Sequence, residues 1–394
     1  MKITAIRATP VNVPLDAPYV WSYGRFPGFT QSIVEIETNE GLIGLGEAPG
    51  SEPARRINAG FAEPLIGRDA IDIQGAELAV LPDHTGVQSI TDYPALATFG
   101  GIELALWDLR GKAWDRTLVD LLGGAVRNNV MFSDYFTYRD RVGDHGGETT
   151  IEDIVAYCLA MRETYGSTIF EGKMSDPNPR DAIAMCEALR NALGDDATIR
   201  VDSNAAYSLA TARMMAPALE DCGIDNWEDP VGTFEEMAAL RPHTRLSLSS
   251  HNVDVAKAIA CGTPDAIVSG MAGNGGILRT QRLIAACEAA HIDFWCYSGD
   301  TGIQSAAYIH LIAATPHIRR PSQSLFHMQS LDVIEEGPFR LVNNTRPVPE
   351  GPGLGVTLDR DKLAHMHGLF VEQGPLTKYR DPERLGVMRR LPLV

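Results

Sequence analysis

From about residue 150 to 310, short apolar runs ending in polar residues alternate with longer segments of helical period. That alternation confines the chain to an α/β architecture of consecutive βα units. Residues 149–166 set Ile151, Ile154, Val155, Cys158 and Leu159 on one helical face and end at Gly166, a residue suited to a helix C-cap. A strand is predicted over 167–174. The pattern repeats with a helix over 181–193, carrying Ala182, Met185, Cys186, Leu189 and Leu193 on one face, and a strand over 197–201. Further strands are predicted at 224–227, 245–249, 266–268 and 292–295, and 130–137 makes a seventh. A weaker eighth falls at 322–326. Eight such units running in one direction close more readily than they form an open sheet, so the fold class is α/β with a modified (β/α)7β TIM-type barrel.

The first 125 residues follow a different rule: an alternating β-meander through Ile43, then helical segments from about Ala54 and from Gly101 to Trp114. This is an α+β module. After about Glu335 come a predicted hairpin with Pro347, Pro349 and the Gly351-Pro352-Gly353 turn, a short helix and an irregular tail. The expected organisation is an α+β capping domain over 1–127, the barrel over 128–334, and a C-terminal segment over 335–394 that packs back on the cap.

Composition removes several classes of partner. No apolar run approaches the roughly 20 residues that cross a bilayer, and the opening MKITAIRATPVNV reads as a first strand, not a signal peptide, so a cytoplasmic location is expected. A formal charge of −17 without a Lys/Arg cluster disfavours nucleic acid and anionic membranes. The six cysteines form no CxxC pair and read as reduced core residues. An anionic substrate would need a local cation, which a bound metal supplies.

In such a barrel the chemistry lies where strands end. The second predicted strand ends Phe170-Glu171-Gly172-Lys173, the third Val201-Asp202-Ser203-Asn204, the fourth Trp227-Glu228-Asp229 and the fifth Ser249-Ser250-His251-Asn252. Asp202 and Glu228 are 26 residues apart and Glu228 and His251 are 23 apart, one βα unit each. A single strand-end carboxylate is more often a helix cap or an ion-pair partner; recurrence in register favours a site for one divalent cation such as Mg2+. Glu171 and Lys173 project to the same side of their strand, which places Glu171 beside Lys173 at the mouth, either near substrate or as a structural ion pair.

The segments VDSNAAYS, WEDP, GLIGLGEAPG, ELALWDLRGKAW and PEGPGLGV resemble the enolase superfamily, and their order is most similar to its glucarate dehydratase and muconate lactonizing branch. The tail GPLTKYRDPERLG resembles acid-sugar dehydratases in particular. The resemblance implies that Asp202 and Glu228 are metal ligands. It puts the third at the end of strand five, where His251 is favoured over Asn252. It also implies that Lys173 is the acid/base group. Two departures stand out: Glu171 occupies a position where relatives commonly carry a second lysine, and strand seven offers Tyr297, or Cys296 one residue earlier, in place of an acid/base histidine.

The implied chemistry is removal of the proton next to a carboxylate, with a metal stabilising the resulting enediolate. The expected activity is acid-sugar dehydration, with Lys173 and Tyr297 catalytic and Tyr23, Arg25, Glu171 and Asn204 contacting a small carboxylate substrate. A racemase, epimerase, cycloisomerase or non-catalytic acid-binding barrel is the alternative. Arg25, in the cap loop Trp21-Ser22-Tyr23-Gly24-Arg25-Phe26, is a candidate clamp for the distal carboxylate of a diacid, with Phe99 contributing nearby. The resemblance also implies a homo-oligomer.

Overall fold

The computed structural model describes residues 1–22, 24–81, 93–174, 176, 178–297 and 300–376. The chain opens with an antiparallel meander of β1 (Ile3–Trp21), β2 (Gly24–Thr38) and β3 (Ile43–Pro49). Val11, Val13, Leu15, Ala17 and Tyr19 are buried at every second position of β1, as expected for a strand with one face on a core. Helices α1 (Glu52–Arg56), α2 (Ile73–Val80), α3 (Tyr93–Trp114) and α4 (Leu118–Leu121) complete the cap. α3 is buried along most of its length. β3 approaches it so closely that a Cβ on Gly46 would collide with the carbonyl oxygen of Gly101.

The barrel follows as β4 (Asn129–Phe136), α5 (Ile151–Tyr165), β5 (Ile169–Lys173), α6 (Pro179–Leu193), β6 (Thr198–Asp202), α7 (Leu209–Asp221), β7 (Asn226–Glu228), α8 (Phe234–Leu240), β8 (Ser247–Ser250), α9 (Val255–Cys261), β9 (Ala266–Ser269), α10 (Ile277–Ala289), β10 (Asp293–Cys296), α11 (Gly302–Ala314) and β11 (Ser322–Gln323). Each strand from β4 to β10 pairs in parallel with the next, and β11 pairs in parallel with β4. Between β10 and β11 the Cys296 N–H donates to Ser322 Oγ at 3.1 Å. This is the eight-stranded, nearly closed (β/α)7β barrel anticipated from the βα period. Local signals behave as the physics requires: Thr150 and Asp153 form a capping box at the start of α5, and Gly166 ends it in the left-handed region at φ 72°.

Two barrel helices are closed from outside. α10 starts after Gly276 with no side-chain cap of its own; instead Glu103 of α3 accepts from the Ile277 and Leu278 N–H groups at 2.9 and 3.0 Å. Glu47 of β3 accepts from the Thr301 N–H, the Thr301 hydroxyl and the Gln304 N–H at the start of α11. Both carboxylates are buried, so the cap is fixed on the barrel by helix N-termini that need acceptors.

The expected C-terminal hairpin is not formed as such. Asn343 and Asn344 make a tight turn at φ 51° and 56°, and the strand after it, β12 (Thr345–Pro347), pairs antiparallel with β4 instead. Pro347 and Pro349 lack the N–H groups that a longer hairpin ladder would use. α12 (Arg360–Gln373) lies on β1, where His367 Nδ1 is 2.7 Å from the Pro10 carbonyl and Asn12 Nδ2 donates to the Gly374 carbonyl at 2.9 Å. Most of the tail motif GPLTKYRDPERLG lies outside the described residues. All six cysteines are free thiols, five of them buried. Among the described residues no helix is long and apolar enough to cross a membrane.

Candidate active site

Register decides which strand-end side chains meet. Lys173 on β5 is paired with Asp202 on β6, Asp202 with Glu228 on β7, and Glu228 with Ser249 on β8. Parallel neighbours at the same level share one pleat orientation, so Lys173, Asp202 and Glu228 form a row facing the barrel axis at its C-terminal mouth. Lys173 Nζ makes a buried salt bridge to Asp202 Oδ2 and lies 5.7 and 5.8 Å from the ring centres of Trp21 and Tyr135. Burial works to lower the Lys173 pKa, but the Asp202 charge overrides it and holds the pKa well above the ordinary lysine value. Asn204 donates to Asp202 from both its backbone N–H (2.7 Å) and Nδ2 (2.9 Å), and its own Oδ1 is buried without a hydrogen-bond partner.

Two residues earlier on each strand lies a second, deeper layer. Glu171 pairs with Arg200 in register, and its carboxylate takes the Arg200 guanidinium, Ser133 Oγ (3.1 Å) and Gln323 Nε2 (2.6 Å). The expectation that Glu171 sits beside Lys173 and touches substrate is therefore corrected. Same-side projection holds, but a step of two residues moves a side chain one layer down into the barrel, where Glu171 is 0% exposed. Arg200 and Gln323 escaped the sequence reading. Arg200 was findable, because it stands two residues before Asp202 as Glu171 stands two before Lys173. Gln323 lies on the weakly patterned β11 and left no comparable signal.

Asp202, Glu228 and His251 each present one ligand atom within 4.8 Å of the others. His251 Nε2 is 2.8 Å from Glu228 Oε1, yet that buried oxygen receives no well-aligned hydrogen bond. Asn252, the other sequence candidate, is exposed and spends its Oδ1 on the Asp254 N–H. Burial pushes Glu228 up to about 7. His251, which burial alone would lower, is raised to about 10 by the Glu228 carboxylate. Two carboxylates and an imidazole converging at a barrel mouth suit a hard divalent cation such as Mg2+, and the imidazole widens the choice toward first-row transition ions. The deeper layer supports this group: Gln323 Nε2 also donates to Glu228 Oε2 at 2.8 Å.

Above the row opens a cavity of about 1100 Å3 between barrel and cap. Lys173, Asn204, His251 and Tyr297 line it from the barrel, Trp21 and Phe26 from the cap, and Pro375 and Leu376 from the C-terminal segment. Tyr297 stands edge-on to His251 with ring centres 5.3 Å apart. Cys296 is wholly buried. Arg25 does not line the cavity; its Nε is held by Asp140 at 2.8 Å, so the expected clamp on a distal carboxylate is corrected to a structural ion pair. Phe99 is likewise absent from the wall and belongs to the buried cap core. Tyr23 lies outside the described residues.

Residues 153–362 match the family described as "Enolase C-terminal domain-like", and residues 3–123 match "Mandelate racemase / muconate lactonizing enzyme, N-terminal domain". Among curated proteins the chain is 30% identical to the "Probable glucarate dehydratase" of Streptomyces coelicolor over 97% of this chain and 94% of that one. It is 28% identical to a chloromuconate cycloisomerase of a Pseudomonas species, covering 93% and 99% of the two chains. Among solved structures, an enolase from Thermobispora bispora complexed with magnesium and formate superposes with a TM-score of 0.89 at 27% identity over the whole of both chains. The barrel mouth, the cap and these matches agree: the chain belongs to the enolase superfamily.

Proposed function

We propose that the protein is a Mg2+-dependent hydro-lyase that removes the proton α to the carboxylate of an acid sugar and eliminates water. The observation that carries this reading is the row of Lys173, Asp202 and Glu228, joined by His251, at the floor of a cavity large enough for a sugar acid. The similarity to a protein named as a glucarate dehydratase supports the reaction class, and the magnesium and formate of a structural neighbour support a metal and a carboxylate ligand.

Asp202, Glu228 and His251 would hold the metal. Bound there, a divalent cation supplies positive charge against the negative charge that develops on the carboxylate as its α-proton leaves. Lys173 Nζ takes that proton. The C–H electron pair becomes the new C=C bond, the β-carbon–oxygen bond breaks with its pair on oxygen, and the proton on Nζ passes to the departing hydroxyl to release water. The enol product then tautomerises to a 2-keto acid. One group serving both transfers implies loss of hydrogen and hydroxyl from the same face. Lys173 paired with Asp202 is an ammonium, so its action as a base requires Asp202 to be engaged elsewhere, as a ligand would be. Asn204, beside Lys173 on Asp202, and Tyr297, beside His251, position the substrate.

A Mg2+-supplemented screen of sugar acids for 2-keto acid formation tests the proposal, with Lys173→Ala as control. We expect turnover in the parent to fall below detection in the variant, with Mg2+ binding retained; keto acid formed equally by the variant would refute it. Cycloisomerisation is the second reading, favoured by the 28% identity to a cycloisomerase and by the aromatic wall of the cavity, and a lactone product would select it. A homo-oligomer is part of the same proposal, and light scattering reads it directly.

A further inference from the structure

Asp202 is not the only neighbour of the Lys173 ammonium. Its Nζ stands over the Trp21 ring at 5.7 Å and over the Tyr135 ring at 5.8 Å, each measured to the ring centre. Both separations fall inside the roughly 6 Å over which the electron-rich face of a ring attracts a cation. Lys173 and Tyr135 are 7% and 8% exposed, so water screens that attraction little. All three side chains line the cavity. The cation is thus bracketed by one carboxylate and two ring faces.

The two rings reach the cation from different parts of the chain, and each is held in place. Tyr135 lies on β4, in register with Glu171 of β5, two residues before Lys173. Trp21 is the last residue of β1. The residue before it is tied to the barrel twice: the Val20 N–H donates to the Tyr138 carbonyl at 2.7 Å, and Thr137 Oγ1 donates to the Val20 carbonyl at 2.7 Å. This end of β1 is therefore anchored just past the end of β4, the strand that pairs with β5. The Trp21 indole packs edge-on with Phe26, ring centres 6.3 Å apart, and Phe26 packs edge-on with Phe29 at 4.8 Å. None of these anchors involves Asp202.

Asp202 is claimed twice, as the partner of the ammonium and as a ligand of the proposed metal. A carboxylate engaged by a divalent cation has less charge to offer Lys173. The ring faces offer no metal-ligand atom, so their attraction for a cation persists when Asp202 is so engaged. That attraction acts once Nζ is charged, which in an α-proton abstraction is as the proton arrives. We propose that Trp21 and Tyr135 are positioning residues that receive the Lys173 ammonium in place of Asp202, holding Nζ at the barrel mouth while it carries the substrate's proton. The proposal rests on the reading above, in which Lys173 carries the proton and Asp202 binds the metal.

Two measurements test it. A crystal structure with Mg2+ and no substrate should show Asp202 on the metal and Nζ still within about 6 Å of both ring centres. Nζ withdrawn from either ring overturns the proposal; Mg2+ bound away from Asp202 overturns the reading beneath it as well. The second measurement replaces Trp21 site-specifically with indoles of rising fluorine content, which weaken the ring face at nearly constant volume. On any sugar acid that turns over, kcat is read where it no longer rises with pH. It should fall stepwise along the series, to roughly a tenth of the parent value for the most fluorinated ring, with KM within about twofold. Trp21→Phe, which keeps a weaker ring face, should lie within the series and Trp21→Leu below it, both with the parent's affinity for Mg2+. A kcat flat across the series, or Phe and Leu equally impaired, would reduce Trp21 to packing and overturn the proposal. If no sugar acid turns over, the hydro-lyase reading falls, and the position of Nζ in the Mg2+ structure decides the proposal alone.

Discussion

Gln323 donates from one nitrogen to two carboxylates, Glu171 Oε1 at 2.6 Å and Glu228 Oε2 at 2.8 Å, and so stands between the deep Arg200–Glu171 pair and the proposed metal ligands. Without it no donor bridges the two buried acids, and Glu228 Oε2 keeps only the longer contact from Ser249 Oγ at 3.4 Å. Gln323→Leu should weaken Mg2+ binding by roughly 10- to 100-fold, the usual effect of removing a residue that orients a ligand. Calorimetry with Mg2+ alone reads this independently of turnover, and an unchanged Kd would reduce Gln323 to packing. The same scale shows what the sequence could convey about single residues. Strand-end spacing points to Asp202, Glu228 and His251 because one βα unit separates each pair, and the fold brings their ligand atoms within 4.8 Å of one another. Depth along the barrel axis is not carried by pleat alternation, so Glu171 was placed one layer too high. Arg25 was misassigned because its partner, Asp140, is 115 residues away and belongs to no period that the chain displays.

At the level of elements, α10 and α11 begin without enough acceptors of their own, and the cap supplies them. Burial raises the Glu103 pKa to about 7, against three hydrogen bonds that favour its charged form. An acid whose folded pKa lies above its unfolded value of about 4.3 contributes stability that is fully present below that value and lost as pH rises through the folded pKa. Glu103→Gln cannot ionise. It forfeits part of the α10 cap at every pH, a constant offset, but between pH 5 and pH 8 its stability should improve relative to the parent by something on the order of 2 kcal/mol. Thermal midpoints of both proteins at the two pH values measure this, and a difference independent of pH would show that Glu103 does not titrate in the window. The elements themselves were legible where helical and strand periods alternate, from α5 through β10. They faded at β11, only two residues long and defined by pairing with β4, and at β12, whose partner lies in the barrel and not in its own segment.

At the scale of the molecule, the cavity belongs to no single segment: β1 and β2, the barrel mouth and Pro375-Leu376 each contribute a wall, and Leu376 N–H is tied to Thr30 Oγ1 at 2.7 Å. Its shape is consequently set by how tightly the cap sits down. On that seam α3 packs tightly against the 3-10 turn Ala272–Asn274, which also lines the cavity. A Cβ on Gly100 would stand 2.8 Å from the Ala272 carbonyl oxygen and 3.0 Å from its Cα, both backbone atoms that cannot rotate away. Gly100→Ala should therefore lift α3 from the turn and cost about 1–3 kcal/mol of stability, the range for an overpacked contact. Because the reacting row of Lys173, Asp202 and Glu228 sits in the barrel, away from that seam, kcat should change little while KM rises several-fold as the cap wall retreats from the substrate. A loss confined to kcat, with KM intact, would mean that the seam does not shape the cavity and that the cap instead acts on the proton transfer itself.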